Sequence, residues 1–303
     1  MQKDLGIVQK IVRFYTFHTP LKKGRHRLAV FAKNLVENFP EELLTITKDG
    51  REFIVDPAPH SYQNVYFLGE YEPGITEIIS KIVKKGDVCL DIGANIGWYA
   101  TLLQKLVGAS GKVYAFEPVP KTFSLLSRNV ELNSKSDNIF VSNVALGETE
   151  KEVEIYLFDK LPDGHASLFK GDSKETQTFN ARMVTLDSFI EKQKIGEINF
   201  IKADIEGAEL TMLKGARKIF EQPRPPLIEI EMALETTRGF GYLPDDLIQF
   251  INKQRNYDFY RIDERKSQLK KIDGFSKDDI GANVLCVPQG FYRERLNNLR
   301  IGE

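Results

Sequence analysis

Residues 88–97 read Val-Cys-Leu-Asp-Ile-Gly-Ala-Asn-Ile-Gly. This is an apolar run ending in an acid, then a loop with two glycines, then an apolar helix start at Ile96. Such a strand–loop–helix brings backbone N–H groups and a helix N-terminus to a bound ligand, with the acid at the strand's carboxyl end. A P-loop would need Gly-Lys-Ser/Thr at the helix start, and here Gly97 is followed by Trp98 and Tyr99. A dinucleotide fingerprint needs G-x-G-x-x-G, a spacing that Gly93 to Gly97 lacks. The acid just before the first glycine would repel a pyrophosphate. It suits a cationic ligand such as the amino group or sulfonium of S-adenosylmethionine.

A second element agrees. Residues 112–116 form a short apolar segment ended by Glu117-Pro118, with Glu117 lying 26 residues after Asp91. One strand, one helix and a second strand fit that interval. An acid ending the second strand is the usual acceptor for the two ribose hydroxyls of an adenosine. Either acid alone reads as a helix cap or a solvated loop; the pair at this spacing reads as a cofactor site.

Four segments then resemble one family: D-I-G-A-N-I-G-W-Y-A (91–100), A-F-E-P (115–118), V-A-L-G (144–147) and I-K-A-D-I-E-G-A-E (201–209). In order and spacing, from about Tyr71 to about Pro288, they resemble the FkbM-type S-adenosylmethionine-dependent methyltransferases. The last segment is the most specific. The resemblance implies an α/β, Rossmann-like, seven-stranded class I methyltransferase sheet and usually O-methylation of a hydroxyl. It names no acceptor and says little about residues 1–60.

Charge is nearly balanced, with 42 basic and 43 acidic residues and a net charge of −1, so no global field points to nucleic acid. Cys89 and Cys286 lie in apolar stretches and read as small buried hydrophobes rather than a disulfide. No run of apolar residues reaches the ~18 that a membrane span needs, and the N-terminus opens no apolar signal region. A cytoplasmic protein is the expectation.

Apolar residues at Leu5, Val8, Ile11, Val12 and Tyr15 predict a first helix that Pro20 stops, and 28–36 predict a second. Leu43–Ile46 and Phe53–Val55 flank Asp49-Gly50, a hairpin signal, and Val65–Leu68 reads as extended. Residues 1–70 thus form a small helical and hairpin cap before a methyltransferase domain over 71–303. In that domain strands are expected near 87–91, 112–116, 138–142, 198–203, 226–232, 255–260 and 281–287. Helices are expected near 96–107, 120–134, 207–220 and 243–253. Between the third and fourth strands lies an insertion with an edge strand at Val153–Leu157 and a loop over 161–178. The first 36 residues carry eight basic side chains against one acid, Asp4, densest at Lys22, Lys23, Arg25, His26 and Arg27. A solvated face is the plainer reading; a peripheral membrane contact is the second.

A hydroxyl acceptor is a weak nucleophile, so the site needs a general base, worth typically ~10²–10⁴-fold, or a metal ion. Phe200-Ile201-Lys202-Ala203-Asp204 ends the fourth strand at an acid, where ligands of open α/β sheets bind. Asp204 is the leading candidate, Lys202 shares its strand face, and Glu206 follows at a helix start, where an acid also suits the macrodipole. His165, in the insertion, is the alternative base because its pKa is near ~6.5 when unperturbed. Glu229 and Glu231 with Asp204 form an oxygen-rich set, but the reading adopted has no metal. The expected cofactor contacts are Asp91, Gly93, Ala94, Asn95, Gly97, Glu117 and Asp204, with Asn143 and Ala145 for the adenine and Glu72 beside the pocket. A nicotinamide oxidoreductase and a non-catalytic partner subunit are the rival readings, and a small-molecule or glycan hydroxyl is the expected acceptor.

Overall fold

The computed structural model describes residues 7–19, 24, 27–29, 31, 42–56, 60–158, 166–168, 176–276 and 279–302. Helix α1 (Ile7–His18) precedes a hairpin of β1 (Leu43–Ile46) and β2 (Glu52–Val55), whose turn carries Asp49-Gly50 as expected. Then follow α2 (Pro73–Ile82), β3 (Val88–Ile92), α3 (Trp98–Val107), β4 (Lys112–Phe116), α4 (Pro120–Asn133) and β5 (Ile139–Ser142). An insertion contributes β6 (Ala145–Leu146), β7 (Lys151–Phe158), β8 (Ala166–Ser167) and β9 (Thr176–Val184). The chain closes with α5 (Leu186–Gln193), β10 (Phe200–Ala203), α6 (Glu209–Lys214), β11 (Leu227–Ala233), α7 (Pro244–Gln254), β12 (Tyr257–Asp263), β13 (Gln268–Ile272), β14 (Gly281–Pro288) and β15 (Arg300–Gly302).

The central sheet runs β15-β13-β12-β14-β11-β10-β3-β4-β5. All seven expected strands are in it, but it has nine strands, because β13 and β15 extend the β12 edge. From β5 to β11 the strands are parallel, and β14 enters antiparallel between β11 and β12. The chain proceeds one way from β3 through β4 to β5 and the other way from β10 to β11. The crevice between β3 and β10 is therefore the topological switch point, where such sheets hold ligands. Parallel strands covered on both faces are apolar throughout. Residues 200–203 and 89–92 obey this in being fully buried, yet they include Lys202 and Asp91.

The insertion forms a second sheet, ordered β6-β9-β7-β8. The stretch read as a loop over 161–178 ends in β9, where Phe179, Ala181 and Met183 alternate toward the interior. Val65–Leu68, expected to be extended, lies in a π-helical turn (Asn64–Leu68) with all four side chains buried. A short apolar run has no period that separates strand from helix. The hairpin's free edge is closed by side chains rather than a strand. Asn129 and Asn133, one turn apart on α4, each exchange two hydrogen bonds with the backbone of Ile54 and Glu52 (2.7–3.0 Å). Phe53, Val55, Val65 and Phe67 join the same core as Trp98 and Leu103, so the N-terminal elements and the sheet share one hydrophobic interior.

Candidate functional site

A cleft of about 1240 Å³, counting its open mouth, lies at the carboxyl ends of β3, β4 and β10. Gly93 to Ile96 form one wall, Glu117 and Pro118 another, and Lys202, Asp204 and Glu206 the floor. Gly93 has φ +81°, and a Cβ there would sit 1.9 Å from the Asp204 carbonyl oxygen, so only glycine lets the two loops meet. Asn95, Glu206 and Glu72 also adopt left-handed φ (+50°, +55° and +39°). Such strain in residues with a Cβ collects at functional sites, and here Asn95 and Glu206 line the cleft while Glu72 follows its lining residue Tyr71.

Asp91 is fully buried, takes a backbone N–H from Ala100, and leaves Oδ2 without a hydrogen-bond partner. Burial, with the nearby Asp204 charge, pushes its carboxyl up to about 7 although Lys202 pulls it down. Glu117 is raised by burial to about 7 as well. The backbone N–H groups of Asn95 (3.0 Å) and Val119 (2.9 Å) donate to its two oxygens and fix the carboxylate against the glycine loop.

The sheet register sets Asp91, Lys202 and Glu229 side by side on β3, β10 and β11. Lys202 Nζ donates to Asp204 at 3.0 Å, lies 3.7 Å from Glu229, and sits 4.6 Å from the Tyr99 ring centroid. Burial by itself would lower its pKa, but Asp204, Glu229, Glu72 and Asp91 hold it well above the ordinary lysine value. Lys202 is thus an ammonium with no proton to accept. Glu229 is raised by burial to about 8, and Lys202 offsets only part of the shift. Glu72 is raised to about 7, again chiefly by burial, and receives the Tyr99 hydroxyl at 2.6 Å. Asp204 keeps 28% of its side chain exposed to the cleft.

Of the residues singled out in the sequence, Gly93, Ala94, Asn95, Glu117, Ala145, Lys202, Asp204 and Glu206 line the cleft, whereas Asp91 is buried in the sheet beside Lys202 and Glu72 lies behind Tyr99, whose hydroxyl it accepts. Gly97 begins α3 just past the wall, with φ +92°. Asn143 spends its amide N–H groups on the carbonyls of Glu117 and Pro118, bracing that loop, while Val144 to Leu146 line the cleft. His165 lies outside the described residues, as do Lys22, Lys23, Arg25 and His26. Among the described residues no group of three or more His, Cys, Asp or Glu is arranged to hold a metal ion. Glu209, near the site, bonds back to the N–H groups of Ile205 and Gly207 and meets Tyr242, which locks the loop below Glu206.

Sequence reasoning missed the aromatic wall of Tyr62, Tyr71, Trp98 and Tyr99. It also missed Arg51, whose buried guanidinium stacks on Trp98 at 4.3 Å and bonds Trp98 O and Thr101 Oγ1. Trp98 in turn donates to Thr76. The only signal was two aromatics opening a helix straight after a glycine loop.

The Methyltransferase FkbM domain matches residues 91–259, more than half of the chain. The chain belongs to the FkbM methyltransferase family. Residues 91–259 are accordingly an S-adenosylmethionine-dependent methyltransferase domain. A methyltransferase 1 of Beauveria bassiana is 28% identical over 144 residues, 42% of this chain and 57% of that protein. The hexuronic acid methyltransferase AglP of Haloferax volcanii is 23% identical over 164 residues, 54% of this chain and 64% of that protein. The chain thus spans less than two thirds of the length of these two relatives. Among solved structures, Aeropyrum pernix fibrillarin with bound S-adenosyl-L-methionine aligns over 83% of this chain and 96% of that one, at 14% identity and TM-score 0.40. The residues present fit the family's cofactor: the unpartnered, buried Asp91 oxygen calls for a cation or donor, and the Gly93 approach leaves a backbone cradle free of side chain. No described helix is long and apolar enough to cross a membrane.

Proposed function

We propose that this protein is an O-methyltransferase that acts on a hydroxyl of a sugar, glycolipid or secondary metabolite. Asp91 would hold the methionine end of S-adenosylmethionine, Glu117 the ribose, and Val144 to Leu146 the adenine. The cofactor supplies an already activated methyl group, so the protein's work is to orient the acceptor and take its proton. Asp204 carries the reading: it is the partly exposed carboxylate on the cleft floor beside the glycine loop, held in place by an ammonium at 3.0 Å. Its oxygen accepts the acceptor's O–H and receives the proton as the hydroxyl reacts. Lys202 positions it and remains charged throughout, and Glu206 takes a further hydroxyl hydrogen bond. A floor of Asp204 and Glu206 suits hydroxyl donors and would repel an acceptor carboxylate, so a neutral sugar fits better than a uronic acid.

The test pairs transfer from labelled cofactor to a panel of neutral glycosides with the Asp204→Asn variant. Asp204→Asn should lower kcat ~10²–10⁴-fold while cofactor affinity stays within a few-fold. Undiminished kcat in that variant, or transfer confined to amine or carboxyl acceptors, would overturn the reading.

A further inference from the structure

Helix α1 is mounted inside out. Its buried positions are Gln9, Val12 and Thr16, and Thr16 donates to the Phe67 carbonyl at 2.6 Å. Arg13 bonds Tyr66 O at 3.1 Å and Thr45 Oγ1 at 2.7 Å. The helix is therefore held to the body largely by its polar side. The opposite side presents Ile7, Val8, Ile11, Phe14 and Tyr15, exposed by 76, 47, 62, 70 and 50%. Their spacing of i, i+1, i+4, i+7 and i+8 makes one continuous stripe. An amphipathic helix normally turns such a stripe to the core. Here three hydrogen bonds from Arg13 and Thr16 aim it outward instead.

From this we infer that α1 docks onto the surface of an anionic lipid bilayer. Charge selects that occupant. Lys3, Lys10, Arg13, Lys22, Lys23, Arg25, Arg27 and Lys33 face a single acid, Asp4, within the first 36 residues, although the whole chain has a net charge of only −1. A second copy meeting the same stripe across a twofold axis would set two such basic segments against each other. Nucleic acid would use the charge but leave Ile7, Val8 and Ile11 in water. A bilayer with anionic headgroups takes both: the aliphatic and aromatic side chains enter the headgroup–acyl boundary, and the surplus positive charge of the segment, apart from the inward-bonded Arg13, is drawn to lipid phosphates. No described helix is long enough to cross, so α1 lies in the surface plane. The docking does not depend on which acceptor is methylated.

The experiment is co-sedimentation of the full chain with vesicles of phosphatidylcholine alone or mixed with phosphatidylglycerol. The protein should bind the mixed vesicles, and added salt should weaken that binding. Ile11→Glu combined with Phe14→Glu should lower the partition coefficient ~10–100-fold and leave the melting temperature and cofactor affinity unchanged. Ile11→Ser with Phe14→Ser is the uncharged control and should move the same way. Three outcomes would overturn the inference: no binding of the unmodified protein to anionic vesicles, binding equal in the variants, or a dimer in solution that the same substitutions dissociate.

Discussion

The sheet face that carries Asp91, Lys202 and Glu229 and the outer face of α1 depart from ordinary burial in opposite directions. In the first, charged side chains are sealed between parallel strands where aliphatic residues belong. In the second, aliphatic and aromatic side chains stand in water on a helix anchored by hydrogen bonds. Both depart from the lowest-energy use of their positions, but they do so with different energetic weight. A buried charge is desolvated and depends wholly on its partners. An exposed apolar side chain forfeits only a transfer free energy it would regain by covering the surface. The sheet face is therefore rigidly specified, whereas the helix face awaits a partner.

Substitutions separate the two. Lys202→Met should have the largest effect: it leaves Asp91, Asp204, Glu229 and Glu72 facing one another without the cation, at a cost of about 3–5 kcal/mol, read by denaturant unfolding. Stability within 1 kcal/mol of the parent would show that the carboxylates simply take up protons, and that the ion cluster is no anchor. Next, Asp91→Asn should weaken S-adenosylmethionine binding about 10- to 150-fold by calorimetry, with unfolding little changed. That carboxyl is pushed up to about 7 by burial, so in the free protein it is protonated below that pH. A cationic ligand favours the ionised form, so affinity should fall with each pH unit below about 7 and level off above it. Glu117 and Glu72 titrate in the same range, so Asp91→Asn should remove one proton from the slope rather than flatten it. A slope unchanged in the variant would place the titration elsewhere. Smallest of all, Ile11→Ser should shift stability by no more than about 0.5 kcal/mol, because that side chain is 62% exposed and nothing among the described residues covers it. A loss of several kcal/mol would mean α1 packs by its apolar stripe.

The sheet's strands were legible because β3, β4, β10, β11 and β14 are apolar runs punctuated by Gly, Pro and acids at the expected intervals. The glycine loop and the acid after β4 were legible for the same reason: Asp91, Gly93 and Gly97 are neighbours in sequence, Glu117 ends the next strand, and a strand–loop–helix needs those residue types wherever it occurs. The added edge strands β13 and β15 were not legible, since Gln268–Ile272 and Arg300–Gly302 are short and polar and are strands only because β12 offers a partner to β13 and β13 in turn to β15. Nor was β9, whose alternation becomes a strand only between β6 and β7. The turn at Asn64–Leu68 shows the limit most plainly, because four consecutive apolar residues serve equally well in either conformation.

What the sequence by itself determined is the order of the seven core strands and the acids and glycines of the loop after β3 and the turn after β4, all of them properties of neighbouring residues. Only the tertiary structure decided that Lys202 is surrounded by Asp204 and by three carboxylates from other segments, Glu72, Asp91 and Glu229, and so stays charged and cannot be the base. The same holds for Tyr62, which lines the cleft, for Arg51, which stacks on the cleft residue Trp98, and for the polar side of α1, which turns inward. The physical reason is common to all of these. Ionisation and burial are set by everything within a few ångströms, and at those positions the neighbours come from β3, β11, α3 and the segment at 66–67, far away along the chain.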